Sequence, residues 1–221
     1  MNNDTPVVER LLSIDVYRGL TMMLMASAGF GLSHLADNPG LTWIAYNVDH
    51  VVWEGFSLWD LIQPNFIFIV GAAMPFAFAI RSSRGQSHKQ MLWHAFKRSL
   101  TLIIIGTVIV SIHKDKPQID LITVLQQIGI AYFFAFFVLG KGIKVQITAA
   151  IAILVFHSLC FFFGPGSGTE PFAKNANFGS WIEMLVFGRL VDGGYLAFNA
   201  VSSIATVIFG IIAGEMMLGS K

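Results

Sequence analysis

About six stretches of this chain are apolar for the length a helix needs to cross a lipid bilayer, and no other feature limits its fold as much. A hydrocarbon layer about 30 Å thick takes roughly 20 residues of helix. The stretches lie at about 16–36, 59–80, 96–112, 119–139, 145–163 and 196–218. Backbone polar groups in lipid must find partners inside the protein, which leaves helices or closed barrels. Barrel strands would read as ~10-residue segments of alternating hydrophobicity, and none is present in the sequence. Composition agrees: 55% of the 221 residues are hydrophobic and 12% charged, against roughly 25% charged in soluble domains. The sequence predicts an all-α, polytopic integral membrane bundle, with a cytoplasmic N-terminal segment at 1–15 and a membrane domain over 16–221.

Several function classes fall away at once. A net charge of +1, with no basic block interleaved with aromatics, gives nucleic acid nothing to bind. The single cysteine, Cys160, sits in an apolar run and builds neither a disulfide framework nor a thiolate metal site within one chain. The N-terminus carries Asp4, Glu9 and Asp15 and does not read as a cleaved signal peptide. Lys and Arg collect on cytoplasmic loops. Arg10, Arg18, Arg81, Arg84, Lys89, Lys97, Arg98, Lys141, Lys144 and Lys221 fall on one side, and Lys114, Lys116, Lys174 and Arg189 on the other. Both termini are therefore expected in the cytoplasm, with the connections 37–58, 113–118 and 164–195 facing outward. The last of these opens with a Gly/Pro-rich turn at 164–168, and its 178–190 stretch reads as a short interfacial helix.

Polar residues at membrane depth are costly and mark sites or helix contacts. The densest cluster is Asp49-His50-Val-Val-Trp53-Glu54-Gly55, followed by Asp60, Gln63, Pro64 and Asn65. A histidine beside a carboxylate serves as base or nucleophile, because the carboxylate fixes its tautomer and stabilises imidazolium. Asp60 and Gln63 share a helical face. Arg18 reads either as an anchor paired with Asp15 or as a grip on a ligand phosphate. On the fourth stretch Asp120, Thr123 and Gln127 form one stripe, with Gln126 beside it. On the sixth, Asn199, Ser202, Ser203, Thr206 and Gly210 form a small, polar face suited to close packing. His34, His88, His94, His113 and His157 show no ligand spacing and read as structural or solvated.

Taken in order, Arg10-Leu-Leu-Ser-Ile-Asp15-x-x-Arg18-Gly19 and His50-x-x-Trp53-x-Gly55-x-x-x-x-Asp60-Leu61-x-x-Pro64-x-Phe66-x-Phe68-x-x-Gly71 resemble the heparan-α-glucosaminide N-acetyltransferase family. That family includes many bacterial relatives of unassigned substrate. Val124-Leu-Gln126-Gln127-Ile-Gly129-Ile-Ala-Tyr132, Arg98 and the stretch 199–214 resemble further family segments. The resemblance implies an enzyme of a bacterial inner membrane that takes an acetyl group from cytoplasmic acetyl-CoA to an amino sugar or other sugar on the outer side. It places His50 on the active-site histidine, with Asp49 and Asp60 as its carboxylates. Arg18, Lys97 and Arg98 are then expected to hold CoA phosphates, since guanidinium pairs with phosphate bidentately. Trp53, Gln127 and Asn199 are expected to contact the acceptor. The partners implied are the bilayer and a glycan, with no metal; homodimer and monomer both stay open. Two departures stand out. Family members have about ten or eleven spans, so this chain reads as an N-terminal portion. Gly29 stands where the heparan enzyme has asparagine, and the connection from Ser33 to Asp49 is longer, which argues against heparan itself as acceptor.

His50 serves such a reaction either as base toward the acceptor or as the acetyl carrier, and both need neutral imidazole. The rival reading is a transporter or flippase for a sugar or lipid-linked intermediate, which would use the same polar interior without a thioester. The orientation is tested by thiol labelling in a Cys160→Ser background. Asn38→Cys should react with an impermeant reagent outside intact cells and Ser87→Cys should not; the reverse pattern would invert the topology.

Overall fold

The structure, a computed structural model, describes residues 12–26, 30–51, 53–115, 117–191 and 194–219. Its helices are α1 (Leu12–Ala26), α2 (Thr42–Asn47), α3 (Ile62–Ser83), α4 (His88–His113), α5 (Val124–Ala135), α6 (Ile143–Phe163), α7 (Phe178–Phe187) and α8 (Asn199–Gly219). Short 3-10 turns occupy Leu32–Asp37, Trp59–Leu61 and Phe136–Val138. Among the described residues there is no strand. The chain is a helical membrane bundle. Among the described residues, four helices are long and apolar enough to cross a bilayer: Trp59–Ser83, α4, α6 and α8. Large apolar side chains on α4 and α6, among them Ile104, Val108, Ile151 and Phe156, are exposed. A soluble protein would not leave such faces uncovered, and lipid accounts for them.

Stretches two, three, five and six thus appear as long helices, whereas one and four are shorter than their apolar patterns. Thr123 caps α5 through a capping box with Gln126, which starts the helix only at Val124. Leu121 has φ 55, a conformation that no continuous right-handed helix admits. Asp120 is drawn away to an ion pair with Arg189 and a 2.7 Å bond from Gln118 Nε2. The stripe read through Asp120, Thr123 and Gln127 is therefore not a helical stripe; Gln127 alone of the three lies within α5. At the other end of the chain, α1 is described to Ala26 and a separate 3-10 turn follows at Leu32–Asp37. Arg10, Gly29 and Lys221 lie outside the described residues. The helix expected within 178–190 is α7, closed by Gly188 in the left-handed region.

α4 begins eight residues earlier than its apolar run, because Ser87 and Gln90 form a reciprocal capping box. Lys97 and Arg98 consequently sit inside the helix, about 15 Å from its start at 1.5 Å per residue. Arg98 lies over the Tyr132 ring of α5, 4.8 Å from its centroid, and Lys97 over Trp93 at 5.3 Å.

The centre of the bundle is the contact of α3 with α8. A Cβ on Gly71 would stand 2.2 Å from the Val207 carbonyl oxygen, one on Gly210 2.1 Å from that of Phe68, and one on Gly214 2.2 Å from that of Ala72. The two backbones touch, as small-residue spacing in membrane helices permits. Polar groups cross-link the same region. Gln127 Oε1 on α5 accepts from Gln63 Nε2 on α3 (2.6 Å) and from Ser203 Oγ on α8 (3.0 Å). Gly210→Val should lower the unfolding temperature in detergent markedly, since overpacking a tight contact costs about 1–3 kcal/mol and backbone cannot step aside. Gly219→Val, where a Cβ meets nothing within 4 Å, should leave it nearly unchanged.

Candidate active site

The segment between α2 and α3 folds back on itself through its own polar groups. Tyr46 Oη donates to the Phe56 carbonyl (3.0 Å), and the Leu58 N–H to Asn47 Oδ1 (3.3 Å). Asp49 Oδ1 accepts the His50 backbone N–H at 2.7 Å. These bonds return the chain to the foot of α3, so that His50 meets Asp60 ten residues later. His50 Nδ1 lies 2.7 Å from Asp60 Oδ1. Asp60 Oδ2 accepts the Ser57 N–H (3.2 Å) and lies 2.8 Å from Ser57 Oγ, which is also 2.7 Å from the Asp49 carbonyl oxygen. The carboxylate that holds the ring is therefore Asp60. Asp49, expected beside it in that role, holds the backbone of His50 instead, because its short side chain closes on the next N–H.

The other ring nitrogen, Nε2, is 3.1 Å from Trp59 Nε1. An indole N–H only donates, so Nε2 carries the lone pair and Nδ1 the proton shared with Asp60. This is the neutral tautomer a base or nucleophile needs. The side chain of His50 is half-exposed at 51% and that of Asp60 less so, at 29%. Both side chains are therefore accessible from outside the protein.

Two cavities meet at this pair. The first, about 680 Å³, is walled by Trp53, Phe172, Lys174, Asn177 and His157. The second, about 770 Å³, runs along α3, α5 and α8 past Gln63, Gln127, Ser203 and Thr206. His50, Asp60, Tyr195 and Asn199 line both. Trp53 is held from above: its Nε1 donates to the Phe172 carbonyl at 3.0 Å, and Lys174 Nζ stands 5.6 Å from its ring. Gly194, at φ 81, leaves room for that ring, since a Cβ there would come within 2.8 Å of Trp53 Cζ3.

Of the residues singled out in the sequence, His50, Asp60, Trp53, Gln127 and Asn199 are brought together around these cavities. Arg18, Lys97 and Arg98 are not among the residues lining either one. Arg18 is exposed on α1, whose Tyr17 hydroxyl donates to Asn65 Oδ1 at 2.6 Å. Two site residues escaped the sequence reading. His157, read as structural, lines the first cavity, interacts with Asn199 and stacks on Phe198 with ring centroids 5.2 Å apart. A lone ionisable residue inside an apolar span was the signal for it. Trp59, read only as the start of a span, touches the ring of His50.

A helical membrane protein with a histidine–aspartate pair at the junction of two cavities is the class that fold and site define. Among known proteins the chain is similar to heparan-alpha-glucosaminide N-acetyltransferase of Homo sapiens, 32% identical over 131 residues, and to the Mus musculus protein of the same name at the same identity and length. The matched stretch covers 56% of this chain and 18% of each relative. The resemblance read from the motifs is thus borne out as a partial relationship. No family model matches the chain.

The Asp60 contacts make a direct prediction. Asparagine offers one acceptor oxygen where carboxylate offers two, so Asp60→Asn cannot serve both His50 Nδ1–H and the Ser57 N–H. Spectra of ¹⁵N-labelled histidine should show His50 protonated at Nδ1 in the parent protein and a mixture of tautomers in the variant.

Proposed function

We propose that this chain is the histidine-bearing part of a membrane acyltransferase. It moves an acetyl group from acetyl-CoA on the cytoplasmic side to a sugar or amino sugar on the outer side. The observation that carries the reading is the position of His50 in the wall common to two cavities, with Nδ1 turned to the Asp60 carboxylate. A group with access to both compartments of a site is what transfer between two substrates asks for. The names of the two relatives agree with acetyl transfer to a glycan amine.

In the direct route, His50 Nε2 takes the proton of the acceptor amine or hydroxyl as that group attacks the thioester carbonyl, and the CoA thiolate leaves. In the two-step route, Nε2 itself attacks, the C–S bond breaks and the CoA thiolate leaves; the acceptor then attacks the acetyl carbonyl, the C–N bond breaks, and the freed Nε2 takes the acceptor's proton. In both, Asp60 stabilises the positive charge that develops on the ring. The first cavity, with Trp53, Phe172 and Tyr195 as apolar walls and Lys174 and Asn177 as polar contacts, suits a sugar ring. Gln127 and Asn199 supply amide groups along the second. Arg18, Lys97 and Arg98 are the cations proposed for the phosphates of CoA.

The test uses the protein as its gene encodes it. His50→Ala should reduce acetyl transfer from acetyl-CoA by about 10²–10⁴, the range for a lost general base, with expression and CoA binding intact. His34→Ala, an exposed histidine outside both cavities, is the control and should be near neutral. Retention by His50→Ala of more than about a tenth of turnover, far short of that range, would remove the catalytic assignment and favour a transporter.

A further inference from the structure

The lone pair that any acyl transfer through His50 would use is already occupied. Trp59 Nε1–H points at Nε2 from 3.1 Å, with the two rings edge to face at an interplanar angle of 88° and centroids 6.1 Å apart. Nδ1 is taken by Asp60, so neither ring nitrogen has free valence toward a ligand. Trp59 comes from the turn Trp59–Leu61 that also supplies Asp60. One three-residue turn therefore grips both sides of the imidazole. The indole lines the second cavity beside Gln63 and Thr123 and is absent from the lining of the first.

We propose that Trp59 is a displaceable cap on the reactive nitrogen of His50. It keeps the lone pair from water and stray electrophiles until a substrate in the second cavity pushes the indole aside. The cap is geometric and stands whatever the reaction; its purpose, protection of a thioester from wasteful hydrolysis, rests on the acyltransferase reading. A half-exposed imidazole with a free lone pair would pass acyl groups to water as well as to an acceptor. An N–H donor cannot coexist with the protonated ring either, since two donors would then face one another. Trp59 thus acts as a positioning residue that selects the neutral, aimed form of His50, and among the described residues it makes the contact to Nε2 from the second cavity.

Diethyl pyrocarbonate reads the cap without any substrate. The imidazole lone pair attacks one carbonyl of the reagent, a C–N bond forms, the C–O bond of the anhydride breaks, and ethyl carbonate leaves and takes up the proton that Nδ1 gives up. In the full-length protein, Trp59→Phe keeps an aromatic ring but loses the N–H. Carbethoxylation of His50, followed by peptide mass spectrometry and normalised to His34, should run about 2- to 12-fold faster than in the parent, as expected for loss of one net hydrogen bond. An unchanged ratio would overturn the cap. Should the variant fail to fold, ¹⁵N-tryptophan spectra answer the same question: the Trp59 indole resonance must move in His50→Phe, and no movement also overturns it. Acetyl-CoA hydrolysis without acceptor, relative to acetyl transfer, should rise in Trp59→Phe. Faster carbethoxylation in a protein with no acetyl transfer at all would keep the cap and discard the acyltransferase.

Discussion

Everything at the site hangs on two helices whose backbones touch. α3 carries Gln63 just past Asp60, and α8 carries Asn199 and Ser203 at its start. Gly71 on one and Gly210 and Gly214 on the other let them close to a separation at which any Cβ would collide with a carbonyl. In lipid, no hydrophobic force drives helices together, and close van der Waals packing takes its place. That contact fixes the distance across which Gln127 joins Gln63 to Ser203. The polar wall of the second cavity is therefore set by glycines about two to three helical turns away. Gly71, the last residue of the histidine motif, serves packing, while His50 and Asp60 at its start pair with one another.

The bundle was legible because lipid solvation leaves a plain record in sequence. Long apolar runs fixed α3, α4, α6 and α8 to within a few residues at most ends. Where the reading slipped, a local hydrogen bond outranked hydropathy. Ser87 and Thr123 set helix starts through capping boxes, one lengthening a helix beyond its apolar run and the other cutting one short. Neither cap carries a hydropathy signal. The pairing of Asp120 with Arg189 joins segments 69 residues apart, and no periodicity announces it.

At the site, the sequence put the right carboxylates near His50 without ranking them. Asp49 is adjacent in sequence, yet at the bend that it occupies its side chain closes on the backbone N–H of His50. Asp60 reaches the ring because Ser57 and the fold-back of residues 46–58 bring it round. His157 and Trp59 were passed over for the same reason: each acts through a neighbour brought by tertiary structure, Asn199 in one case and His50 in the other. The basic residues expected at a phosphate site sit apart from both cavities, since α4 begins early enough to carry Lys97 and Arg98 into its own interior turns.

The bond from Trp53 to Phe172 spans 119 residues of chain, whereas His50 and Asp60 are only ten apart. A ribosome releases the chain from its N-terminus, so these two features come into being at different times. The imidazole can be gripped as soon as α3 has entered the membrane. The roof over the first cavity cannot exist until α6 and the segment beyond it have followed. During that interval the imidazole and its carboxylate stand together without the Trp53–Phe172 contact above them. A partner for the second ring nitrogen, supplied from the outset by the same short turn as that carboxylate, would matter most while the chain is still being made.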